Sequence, residues 1–164
     1  MLRILFKNKE KYNIMKIKTT RNIFLILLSF LGLGAIVGGG ALIISPYGKL
    51  LGMPLSLLEK SPFKNFFTPG LILFIVLGIT PCLLVLALIK KPKSILAEKF
   101  NFFNDMHWSW TFSIYIAFAL IIWIQVEMIY LQSINWLHSF YMFFAISIIF
   151  TALLPKIRNL YKND

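Results

Sequence analysis

The chain has 164 residues, 59% hydrophobic and 14% charged, with 17 Lys and Arg against 6 Asp and Glu and a formal net charge of +11. Such an apolar chain is not disordered, its single cysteine, Cys82, excludes a disulfide scaffold, and a soluble nucleic-acid binder would share the charge but not the hydrophobicity. What remains is a small integral membrane protein with basic flanks, whose expected partners are the lipid bilayer and anionic headgroups rather than nucleic acid.

Residues 1–22 read as a basic tail carrying Arg3, Lys7, Lys9, Lys11, Lys16, Lys18 and Arg21, with Met15 as an alternative start. The first apolar run, Ile23 to Ile44, has 22 residues. A secretion signal uses an apolar region of about 7–15 residues, so an anchored helix is expected. Three further runs follow: Gly70 to Ile89, Trp108 to Leu131 and Trp136 to Leu154. Each approaches or exceeds the roughly 20 residues that cross a bilayer as a helix. The predicted fold is all-α, a four-transmembrane-helix bundle over residues 23–154 with a second basic tail at 155–164.

In the first run, Gly34 and Gly38 are four apart, as are Ala35 and Gly39. Small residues at that spacing let helix backbones approach in lipid. Packing within the bundle is the first reading, and a homodimer face is the second. The triplet Gly38, Gly39 and Gly40 predicts unwinding before Ser45. The next segment, Ser45 to Pro69, is too apolar for a solvated loop. It predicts a short interfacial helix with Pro54 in its first turn, ended by Lys60, Ser61 and Pro62. Phe63, Phe66 and Phe67 would anchor its return, and a lid over a cavity is the sharper form of this reading.

Pro81 predicts a kink in the second run, with Thr80 satisfying a freed carbonyl. Cys82 beside it reads as a small buried apolar residue. The second loop, with Lys90, Lys91, Lys93 and Lys99 and the aromatics Phe100, Phe102 and Phe103, reads as an interfacial segment. The third run ends in Trp123, Gln125, Glu127 and Gln132. An ionisable group in a span usually faces the bundle interior or a cavity. Glu127, with Gln125, Gln132 and His138, is therefore the candidate polar site. His138, Asn135, Lys49, Lys60 and Lys64 are its possible partners. A structural polar lock ranks ahead of a proton-coupled or cation site. The four-residue third loop, Gln132 to Asn135, predicts a tight antiparallel hairpin between the last two spans.

Orientation follows from the basic residues. Fourteen of the 17 fall in the two tails and the second loop, and three in the first loop. Cytoplasmic segments carry this excess, so both termini are expected in the cytoplasm and the first and third loops outside. His107 and His138 then start spans on opposite faces and cannot clamp one haem. The dispersed acids, Glu10, Glu59, Glu98, Asp105, Glu127 and Asp164, suggest no metal centre. No P-loop, nucleophile elbow or zincin pattern occurs, and no cofactor is expected.

The first loop carries Pro46-x-Gly48, Leu51-Gly52-x-Pro54, Ser61-Pro62-Phe63 and Pro69-Gly70, with Trp123 to Glu127 further on. In this order the motifs resemble an uncharacterised family of small four-span bacterial integral membrane proteins, over roughly residues 23–154. The resemblance implies the architecture and assigns no activity or site residue. Where that pattern has an acidic residue before Pro46, this chain has Ser45. The functional expectation is a non-enzymatic accessory or assembly protein of the plasma membrane, possible as a homodimer or beside another membrane protein. A small proton-coupled transporter or channel using Glu127 ranks second. A lipid-acting enzyme using Glu127 or His138 ranks third.

Overall fold

The computed structural model describes residues 2–132 and 135–163, with side chains described from residue 15 onward. Residues 133 and 134 of the expected tight hairpin, and the side chains of Arg3, Lys7, Lys9 and Lys11 expected on lipid headgroups, lie outside the described set. Four helices are long and apolar enough to cross a membrane: Met15–Ile44, Phe67–Lys90, Trp108–Leu131 and Trp136–Leu153. They form an all-α, multi-pass bundle. The first span packs on the second and fourth, and the third packs on the same two.

Each span is apolar all round because it has two apolar surroundings. On the first span, Phe24, Leu28, Leu31 and Ala35 enter the core, whereas Ile26, Phe30, Leu33 and Val37 remain exposed on the perimeter, where lipid would lie. The third and fourth spans pack on each other, and both bury small residues, Ser113 and Ala117 on the third and Ala145 and Ala152 on the fourth. The Trp110 indole N–H donates to the Ala152 carbonyl at 2.9 Å and ties the two helices together.

The first helix begins at Leu2 and runs unbroken to Ile44. The expected unwinding at Gly38–Gly40 does not occur, because the second span packs tightly along that stretch. A Cβ at Gly39 would lie 2.7 Å from the Phe74 nitrogen and 2.8 Å from the Gly70 carbonyl oxygen. A Cβ at Gly32 would lie 2.6 Å from the Cys82 sulfur. Cys82, half-buried, is therefore part of this helix contact. Of Gly34, Gly38 and Gly39, only Gly39 stands at such a close approach; a Cβ on Gly34 would meet open space.

The second span contains a π-helical stretch, Leu73–Ile79, just before Pro81. The widened turn accommodates a residue that lacks an N–H and crowds the carbonyl one turn back. The Thr80 hydroxyl donates at 2.9 Å to the Ile75 carbonyl, which already accepts the Thr80 N–H, so it does not serve the carbonyl that Pro81 frees.

One end of the bundle gathers the Lys- and Arg-rich segments and is closed by polar contacts. Asn101 is buried. Its amide donates to the Met106 carbonyl at 2.7 Å and to Glu98 at 2.7 Å. Its carbonyl accepts from the Thr111 hydroxyl at 2.6 Å and the Phe103 N–H at 3.2 Å. Residues 155–163 fold back here as the helix Pro155–Leu160 followed by Tyr161. The Tyr161 carbonyl accepts from the His107 N–H at 2.8 Å, and Met106 bridges to Lys162. Between the second and third spans, the helix Ile95–Lys99 is capped by Ser94. Ile95 and Phe102 of this segment are 85% and 86% exposed, as befits an interfacial segment.

Candidate functional site

The opposite end holds the first and third loops. The first loop is not one short helix but two 3-10 turns, Lys49–Leu51 and Leu55–Leu58. Gly52, at φ 64°, stops the first turn, and Pro54 is extended at ψ 148°, so the second turn begins only after it. Gly48 has φ 75°, and a Cβ there would fall 2.0 Å from the Met53 carbonyl oxygen, so glycine is required. The Met53 N–H donates to the Gly48 carbonyl at 3.0 Å, and the Phe66 N–H donates to the Pro46 carbonyl at 2.8 Å, closing the loop. Ser45 accepts from the Leu50 N–H at 3.3 Å. Ser61 accepts from the Phe63 N–H at 3.2 Å. Gly70 lies under Leu42, where a Cβ would come within 2.7 Å of the Leu42 Cβ. The loop motifs thus have structural uses: they shape a cover.

Leu58 and Phe66 pack beneath that cover against Leu42 in a small core of their own. Beside them is a cavity of about 220 Å³, roofed by Met53, Leu58, Phe63 and Phe66 and walled by Trp123, Glu127 and Tyr130. A second cavity, of about 150 Å³, lies among all four spans, between Gly34 and Gly38 on the first, Leu77 on the second, Leu120 on the third and Tyr141 on the fourth. Trp123 and Glu127 line both spaces. They are four residues apart on one helix, hence on one face.

The Trp123 indole N–H donates to one Glu127 carboxylate oxygen at 2.8 Å. The other carboxylate oxygen stands 4.0 Å from His138 Nε2. His138 is buried and occupies the third position of the fourth span in a capping box with Asn135. Its Nδ1 accepts from the Asn135 N–H at 3.0 Å. A neutral His138 therefore carries its proton on Nε2, so a donor rather than a free lone pair faces Glu127. Among the described residues, His138 is the only basic group within 4.0 Å of the Glu127 carboxylate.

No family model, curated protein or solved structure matches this chain. Of the four polar residues expected together, Glu127 and His138 come together. Gln132 caps the third span in a left-handed conformation at φ 45° and accepts a hydrogen bond from Lys60, latching the first loop to the end of the third span. Gln125 turns away from Glu127 and lines a separate groove with His138 and Met142. Lys60 thus serves Gln132 rather than Glu127. Trp123 is the closest partner of Glu127, and its i, i+4 spacing is the signal that reveals it. Pro81 lies outside both cavities and shapes the second span.

Proposed function

We propose that this chain is a non-enzymatic accessory protein of the bacterial plasma membrane, with both termini cytoplasmic, that acts by holding a small organic molecule in the chamber under its first loop. The observation that carries this reading is the coincidence of a partly open apolar chamber roofed by the first loop with one half-buried carboxylate, Glu127. Ligand sites characteristically combine apolar walls with a few placed polar groups. The nearby imidazole has its lone pair committed to a backbone N–H, which favours holding over catalysis. Fourteen of 17 basic residues in the tails and second loop support the orientation. The resemblance of the loop motifs supports the bacterial setting.

A photo-crosslinking residue in place of Phe63 tests the binding reading. Irradiated membranes should yield protein with a discrete low-mass adduct, and adducts of bulk phospholipid alone would overturn it. For the orientation, a periplasmic phosphatase fused after Asp164 should be inactive; an active fusion would reverse it. A second reading, proton-coupled transport, is favoured by Glu127 lining both the central and the covered cavity. It predicts that Glu127→Gln abolishes flux driven by a pH gradient in proteoliposomes. Unchanged flux would end that reading.

A further inference from the structure

The covered chamber has a chemistry that selects among ligands. Its walls bring one carboxylate, Glu127, together with the aromatic side chains Trp123, Tyr130, Phe63 and Phe66. The carboxylate accepts one indole N–H, and His138 stands 4.0 Å from its other oxygen. Among the described residues no lysine or arginine lies within 4.0 Å of it, and Lys60, one of the three lysines of the first loop, is bonded to Gln132. An anion would meet like charge. A neutral apolar molecule would strip water from the carboxylate without replacing it, which is costly. A small inorganic cation needs about six oxygen ligands to replace its hydration shell, and this wall offers one carboxylate and the hydroxyls of Ser61 and Tyr130, that of Ser61 bonded to the Phe63 backbone. An organic ammonium ion has none of these conflicts. With its nitrogen fully alkylated it is weakly hydrated, its charge is met by a single carboxylate, and its alkyl or aryl body suits aromatic walls that attract cations.

We infer that the chamber under the first loop is a binding site for a small organic ammonium cation, with Glu127 as counter-charge and Trp123, Tyr130, Phe63 and Phe66 as its aromatic wall. This rests on the binding reading above and adds the charge class of the ligand. The cavity of about 220 Å³ suits a single aromatic ring carrying a quaternary ammonium head rather than a long-chain lipid. Trp123 positions the carboxylate as well as walling the site, since its N–H fixes one oxygen.

The test uses the full chain in lipid nanodiscs and two probes of the same shape. Benzyltrimethylammonium carries the charge; neopentylbenzene has carbon in place of the nitrogen. Calorimetric titration, corrected with empty nanodiscs of the same lipids, should show saturable binding of the ammonium about tenfold or more tighter than its neutral isostere. Glu127→Gln should remove that preference while leaving the isostere's binding in place. Equal saturable binding of both probes to the wild-type protein would overturn the charge assignment and leave the chamber reading standing. No saturable binding of either would overturn both. Should Glu127→Gln fail to fold, the wild-type comparison of the two probes still decides the assignment.

Discussion

The two ends of the bundle each start a span with a histidine, and the two histidines are bonded alike. His107 caps the third span and accepts the Ser109 N–H; His138 enters the fourth and accepts the Asn135 N–H. Their surroundings differ. At the basic end Asn101 makes four hydrogen bonds, the chain terminus is bridged back, and burial holds the His107 imidazole below its ordinary pKa against the opposing pull of Glu98. At the loop end the Glu127 carboxylate receives one N–H, and two cavities adjoin it. Asn101, whose bonding capacity is used within the fold, holds shape, whereas His107 Nε2 at the same end is buried without a hydrogen-bond partner among the described residues. A carboxylate with spare acceptor capacity beside open volume is where another molecule can enter.

The sharpest way to break this contrast is at the clamp. Asn101→Ala leaves the Thr111 hydroxyl, the Phe103 N–H and the Met106 carbonyl without their partner. Unsatisfied buried groups of this kind cost about 1–3 kcal/mol each, and partial relaxation brings the expected loss to about 3 kcal/mol. Thermal unfolding in detergent should show it as a large fall in Tm. A fall no larger than that of an exposed Asn159→Ala control would mean that the basic end is not clamped through Asn101.

A smaller effect separates the two glycine faces of the first span. Gly39→Ala drives a Cβ into the backbone of Phe74 and Gly70 and should destabilise the bundle by about 2 kcal/mol. Gly34→Ala meets open space at the edge of the central cavity and should leave stability unchanged or slightly raised. Denaturant midpoints of the two variants check this, and equal midpoints would show that the first and second spans do not meet along Gly39.

The glycines also show what a sequence can and cannot disclose. Hydropathy placed the four spans, because crossing a bilayer demands a long apolar run wherever its neighbours lie. It also placed Glu127, because a charge within such a run stands out. Rotation about the helix axis was hidden: the spacings Gly34–Gly38 and Ala35–Gly39 are equivalent in the sequence, and only the position of the second span distinguishes them. Asn101 was invisible for a related reason. Its partners Met106 and Thr111 are set by how the second loop folds onto the third span. Pro54 was visible as a helix boundary, but the left-handed Gly52 beside it, which divides the loop into two 3-10 turns, depends on closure through Pro46 and Phe66.

The smallest effect belongs to the folded-back terminus. The Tyr161 hydroxyl, buried at the end of the second span, donates to the Leu88 carbonyl at 3.1 Å. Tyr161→Phe should cost about 1 kcal/mol. It should also change the response to alkali. Burial pushes the Tyr161 phenol up to about 12 from its ordinary value of 10.0, with Arg21 pulling the other way. Between those values the unfolded chain gives up the phenolic proton while the folded chain retains it. The unfolded state then binds fewer protons, so stability falls as pH rises through this window. Below pH 10 this residue contributes no pH dependence. Denaturant titrations at several alkaline pH values should show a steeper loss for the wild-type protein than for Tyr161→Phe. Parallel curves would mean that Tyr161 ionises as freely in the folded bundle as in the unfolded chain, and that the terminus does not seal the basic end.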